Sequence, residues 1–138
     1  MSKVELRPHH VGISVANLDE SIKWYEEMLG FSYVDRVYAE HLHCTIAMMK
    51  NGSFELELFR HDDTIAIPAD RLHPDTDMIT QGTKHICFTV KGLDELVERI
   101  QAKGVKVIVG PGVFGTNRFY YICDNNGVLI ELNEPVEA

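Results

Sequence analysis

"RPHHVGISVANLDESIKWYEEMLGF", residues 7–31, joins two hydrophobic periods in one short segment. Residues 9–16 alternate apolar and polar, as a half-buried strand does. From Asn17 the period lengthens. Leu18, Ile22, Tyr25 and Leu29 fall on one helical stripe. Asn17 or Asp19 is placed to cap the helix start, and Gly30 suits a left-handed stop. Two adjacent histidines, His9 and His10, stand at the mouth of the strand. Downstream, "FSYVDRVYAE" and "HLHCTIAMMK" read as strands. Asn51-Gly52 is a strong hairpin signal, and "SFELELF" reads as the returning strand.

The pattern then restarts. "KHICFTVKGLDELVERIQAKGV" opens with His85 on an alternating strand, continues as a helix with Leu93, Leu96, Val97 and Ile100 on one face, and stops at Gly104. One shift lays His10 on His85, Leu18-Asp19-Glu20 on Leu93-Asp94-Glu95, and Asn51-Gly52 on Asn126-Gly127. Each glycine turn is followed by a strand carrying a glutamate, Glu57 in "LELF" and Glu131 in "IELN". The frame slips by about one residue there, so Glu55 also competes as the mate of Glu131. Similarity at one long period predicts two copies of a strand-helix-strand-strand-strand unit. In the second copy "GPGVFGT" is expected to interrupt the third segment. The fold class is therefore α+β, with tandem βαβββ modules at 8–60 and 84–135 in one domain, 1–138. Residues 61–83, with prolines, acids and no sustained period, read as a linker.

Bulk properties narrow the function. The 138 residues carry a formal net charge of −8. Such a surface repels nucleic acid and anionic membrane, so neither is expected as a partner. The N-terminus shows no apolar signal-like region and no apolar run approaches membrane length, which predicts a cytoplasmic protein. Cys44, Cys87 and Cys123 form no CxxC pair and read as buried, reduced thiols. Trp24, Tyr25 and Phe31 read as core.

The repeat gives the histidines a meaning. Each module offers one histidine on its first strand and one glutamate on its last. Two imidazoles and two carboxylates, His10, Glu57, His85 and Glu131, suit one divalent first-row ion such as Zn, Ni, Co, Mn or Fe. An inward carboxylate also calls for a cation nearby. His9 competes with His10, but strand alternation places them on opposite faces. Lys84, not a histidine, precedes His85, so the repeat selects His10. Arg60, Lys84 and Arg118 lie next to these strands, and Arg118 before "FYYI" is the preferred holder of an anionic small-molecule substrate.

At "HHVGISVANLDESIKWYEEMLGF", "SFELELF", "KHICFTV" and "DNNGVLIEL" the chain resembles the vicinal oxygen chelate superfamily, also called the glyoxalase/bleomycin resistance/dioxygenase family. The resemblance implies paired βαβββ modules forming a U-shaped, curved mixed sheet around a metal cleft. It also implies a homodimer and a substrate that binds the metal through vicinal oxygens. The two glutamates make the ligand pattern most similar to glyoxalase I. By that resemblance Glu131 is the base, Glu57 shares the role, and the protein is a metal-dependent lyase, isomerase or epimerase acting through an enediolate. Two positions depart from bacterial glyoxalase I: Ser14 stands where an arginine is common, and His61 where an asparagine is expected. Two other readings follow from the same family. An Fe(II) or Mn(II) extradiol-type dioxygenase would leave Glu57 surplus, with Tyr120, Tyr121 and His61 near the substrate. A non-catalytic, bleomycin-resistance-like module would bind a small molecule without the ligand set.

Overall fold

The computed structural model describes residues 2–137. The chain divides into two compact units, one ending at Ile65 and the other beginning at Ala66. In the first, β1 (His10–Ser14), α1 (Leu18–Leu29), β2 (Ser32–Ala39), β3 (Cys44–Asn51) and β4 (Phe54–His61) follow in sequence. The sheet order is β1-β4-β3-β2, with β1 parallel to β4 and the other pairs antiparallel. The second unit adds a short α2 (Pro74–Asp77) and then repeats the plan. Its elements are β5 (Ile86–Thr89), α3 (Leu93–Ala102), β6 (Val107–Phe114), β7 (Asn117–Cys123) and β8 (Leu129–Pro135). The order β5-β8-β7-β6 matches the first sheet strand for strand. Two tandem βαβββ modules in an α+β chain are thus the architecture.

Local chemistry accounts for these elements. The Asn17 side chain accepts the Glu20 amide at 3.0 Å and caps α1. Gly30 ends it at φ 70°, a conformation that costs a residue with a Cβ about 1–2 kcal/mol. The Asn51 amide then donates to the Leu29 carbonyl at 3.1 Å, tying the β3–β4 turn to the helix end. At the start of α3 the Asn17 position is Gly92, which has no capping side chain. Glu134 on β8 supplies the acceptor instead, taking the Gly92 amide at 2.6 Å.

One face of each sheet is covered by its own helix. In the first unit Tyr25, Ala47, Met49, Leu56 and Leu58 are all fully buried. Met28, rather than Leu29, is the buried residue of the last turn of α1. In the second, Leu93, Ile100, Ile122, Ile130 and Leu132 form the corresponding layer.

Two expectations need correction here. "GPGVFGT" does not break the third segment: β6 runs through it with register shifts between Val107 and Val109 and between Val109 and Gly112. An edge strand has one side free of ladder bonds, so Pro111 is tolerated there. The stretch from Ala66 onward is also more than a spacer, because Asp77 is buried and receives Arg71 Nε at 3.0 Å and Lys84 Nζ at 3.3 Å. Lys84 also bonds the Thr80 carbonyl, so it is occupied by structure. The Arg71 hydrogen bond, and then Lys84, hold the Asp77 carboxyl below its ordinary range although burial opposes them. A depressed folded-state pKa adds stability that is complete above the unfolded value of about 3.9 and is lost as pH falls through the folded value. Acid titration of unfolding is expected to show a loss below about pH 4 that Asp77→Asn lacks. Equal slopes in both proteins would refute this role.

Candidate metal-binding half-sites

The face of each sheet turned away from its helix carries the polar residues. Along β1 that face shows His10, Gly12 and Ser14; along β4 it shows Glu55, Glu57 and the aromatic Phe59, alternating with the buried Leu56 and Leu58. His10 Nε2 lies 3.1 Å from Glu57 Oε2. Gly12 stands opposite Glu57 in the ladder. A Cβ at Gly12 would lie 2.8 Å from the Phe59 ring, so glycine lets that aromatic lie across β1.

The second unit repeats the row. His85, just before β5, shares a face with Cys87 and Thr89, and Cys87 stands opposite Glu131. Glu57 and Glu131 therefore occupy matching register positions, opposite Gly12 and Cys87, while Glu55 lies opposite His10. The Cys87 thiol donates to Glu131 Oε2 at 2.8 Å. Tyr121, across from Glu131 on β7, lies with its hydroxyl 3.4 Å from His85 Nε2 and its ring edge-on to the imidazole at 5.1 Å. Burial, followed by the hydrogen bond to Glu131 and its charge, pushes the Tyr121 phenol up to about 12. Partial desolvation against the sheet, followed by the hydrogen bond to Glu131 and its charge, pushes the Cys87 thiol up to about 12 although the residue as a whole is exposed. Both groups stay protonated near neutrality and act as donors to the Glu131 carboxylate.

Several placements differ from expectation. Cys87 is exposed, not buried; its parity with His85 in "KHICFTV" was the available signal. His9 precedes β1, so alternation does not constrain its ring. That ring turns to the same side as His10, with Nδ1 2.8 Å from His10 Nδ1 and 3.4 Å from Glu55 Oε2. Arg118 lies three residues from Tyr121, an odd step that puts it on the helix side of the sheet. It donates to Asp94 Oδ1 on α3 at 2.7 Å, and Tyr120 adds a bond to the same oxygen at 3.0 Å. Arg60 is likewise three residues from Glu57, on the opposite face, with Nη1 3.7 Å from Asp62. The structure thus brings His10 to Glu57, and His85 and Glu131 to Tyr121, but brings neither arginine to them.

Two atoms each about 2.1 Å from one ion stand roughly 3 Å apart when their bonds meet near a right angle. The His10–Glu57 spacing has that size, and imidazole with carboxylate is a fitting donor set for a divalent first-row ion. Among the described residues no group of three or more His, Cys, Asp or Glu side chains that could hold a metal ion is assembled.

The family model for the Glyoxalase/Bleomycin resistance protein/Dioxygenase superfamily matches residues 7–132. The chain belongs to this superfamily. Similar proteins include the uncharacterized protein YwkD of Bacillus subtilis, 27% identical over 128 residues that cover 91% of this chain and 94% of the relative. A virulence protein of Salmonella typhimurium is 27% identical over 94% of this chain and 85% of its own length. Among solved structures, a glyoxalase family protein from Bacillus cereus is similar at a TM-score of 0.77, with 29% identity and 99% of each chain covered. The trypanothione-dependent glyoxalase I of Leishmania major shares the fold at a TM-score of 0.74, with 24% identity over 94% of this chain and 87% of that one. Among the described residues of this glyoxalase-superfamily chain, no helix is long and apolar enough to cross a membrane.

Proposed function

We propose that this protein is a metal-dependent lyase, isomerase or epimerase of the glyoxalase type, acting on a small substrate with vicinal oxygens. The observation that carries the reading is the recurrence of one histidine and one register-matched glutamate on the open face of both sheets. His10, Glu57, His85 and Glu131 would hold one divalent ion, Zn, Ni, Co, Mn or Fe, within one chain or across a homodimer. When bound, the ion supplies Lewis-acid stabilisation of negative charge developing on the substrate oxygens.

The remaining work falls to the side chains. Glu131 takes the proton from the carbon next to the carbonyl and returns it to the neighbouring carbon or to the other face. The Cys87 thiol, at 2.8 Å, orients the carboxylate, and Tyr121 steadies both it and His85. Glu57 sits against His10, which favours this reading over a dioxygenase that needs one carboxylate. With Arg60 and Arg118 engaged on the helix side, substrate recognition rests on the open-face residues, Tyr121 first among them.

Elemental analysis of protein purified without chelator tests the metal. About one divalent ion per chain is expected, falling several-fold in His85→Ala, because losing one donor of a chelating set weakens the rest. No binding after reloading with each of the candidate ions would overturn the enzyme reading and leave a binding module.

A further inference from the structure

We infer that the substrate carries a flat, apolar group beside its vicinal oxygens, and that the ring of Phe119 on β7 is the surface that receives it. The inference rests on the metal reading above and names the substrate class of the same site. Phe119 lies two residues from Tyr121 and so shares its open face. The two rings are 5.7 Å apart and 77° from parallel. On its far side Tyr121 meets the His85 ring edge-on at 5.1 Å, with its hydroxyl 3.4 Å from Nε2. A group lying on Phe119 therefore abuts the side chain that reaches the proposed ligands.

Gly112 on β6, directly across the ladder from Phe119, sets the attitude of the ring. A Cβ built on Gly112 would stand 2.6 Å from Phe119 Cζ, 2.9 Å from Cε1 and 3.3 Å from Cε2. A point in the ring plane beyond Cζ would be equally far from both flanking carbons, and much farther from them than from Cζ. The observed distances instead put the point beneath the ring face. Phe119 thus lies flat on the β6 backbone with its other face turned away from the sheet. Gly112 has no left-handed φ, so glycine here serves the close approach and not a turn. At Gly12 the distances run 2.8 Å to Phe59 Cε2 and 3.7 Å to both flanking carbons, so that ring turns its edge to the backbone. The flat attitude belongs to the second unit.

The neighbours of the ring fit a small ligand. Phe119 is half-buried, a floor, and Tyr121 stands close to upright beside it as a wall. Across the ladder on the other side is Asn133, hydrogen-bonded to the Thr89 hydroxyl at 2.8 Å. An aromatic surface bordered by a few fixed polar groups is the composition of a small-molecule site. A ring face also favours a flat partner, through offset stacking, over a bulky one.

Calorimetric titration of the full-length, zinc-loaded protein with benzohydroxamate and acetohydroxamate tests the proposal. Both compounds present two vicinal oxygens to an ion, and only the first carries a planar apolar group. Benzohydroxamate is expected to bind about 10-fold more tightly, the size of one stacked ring with the area it covers. Phe119→Ala is expected to remove most of that preference while acetohydroxamate binds as before, which also reports that the variant is folded. Gly112→Val, which lifts the ring from β6, is expected to act in the same direction. In the unsubstituted protein, nuclear Overhauser contacts are expected between the benzohydroxamate ring protons and Phe119. Equal affinity for the two compounds, a preference that survives Phe119→Ala, or an absence of those contacts would overturn the role of Phe119 and leave the metal reading standing. No gain in affinity for either compound on zinc loading would overturn the metal reading and, with it, this inference.

Discussion

Glu131→Gln is expected to lower exchange of the substrate α-proton into deuterated water by about 10²–10⁴-fold, the range that a positioned general base contributes. Glutamine keeps the shape and an oxygen for Cys87 and Tyr121 to approach, but its amide takes no proton from carbon at neutral pH. Under the proposed metal reading three donors, His10, Glu57 and His85, would remain, so the ion would be held more weakly and would be restored by excess metal. The measurement is proton-exchange NMR on an α-hydroxycarbonyl compound that the unsubstituted protein turns over, with the metal at saturation in both samples. Exchange at an undiminished rate in Glu131→Gln would sink the assignment of the base to Glu131. Loss in Glu57→Gln alone would move it to the first unit. The asymmetry of the two half-sites motivates the choice: Glu131 faces Cys87 and Tyr121, whereas Glu57 faces Gly12 and Met48.

Tyr25→Ala is expected to cost about 3–5 kcal/mol of stability, the range for deleting a buried aromatic ring. The residue is fully buried in α1, edge-on to Trp24 at 4.8 Å and to Phe31 at 5.9 Å. Phe31 in turn meets Phe54 at the start of β4 at 6.5 Å, so the ring links the helix to the strand that carries Glu57. Since single domains are stable by only about 5–15 kcal/mol, the loss removes a third or more of the total. Urea unfolding should show a lower midpoint with an unchanged slope. A midpoint within experimental error of the unsubstituted protein would mean that the ring contributes little to holding α1 against its sheet.

The two periods in residues 7–31 located β1 and α1, and the alternation and turn signals located the hairpin that follows. Each signal is local: a strand shows its buried face in every second residue, and a helix in every third or fourth. Asn17 and Gly30 were readable as caps for the same reason. Gly92 was not, because its replacement, Glu134, arrives from a strand 42 residues away. The segment around Asp77 was equally opaque. Its order comes from one buried carboxylate and two basic side chains, which leave no periodic trace.

Within the candidate site, the repeat alone singled out His10, His85 and Glu131, and left Glu55 and Glu57 undivided. Ladder register separated those two, opposite His10 and Gly12 respectively. Register also sent Arg60 and Arg118 to the helix side, a placement that parity with Glu57 and Tyr121 already encoded. Cys87 was legible by the same parity. The turn of the exposed His9 ring toward His10 was not, because the residue lies outside the strand and only its contacts with His10 and Glu55 orient it.

By itself, then, the sequence determined that this protein is two copies of one βαβββ unit, each with a histidine at the mouth of its first strand and glutamates on its last. Those features are periodic and repeated, and local sterics and hydrophobic burial suffice to write them. The tertiary structure decided which polar side chains meet: His9 with His10, Cys87 with Glu131, Arg118 with Asp94. Such pairings depend on how strands far apart in the chain align, and no short stretch of sequence holds that distance.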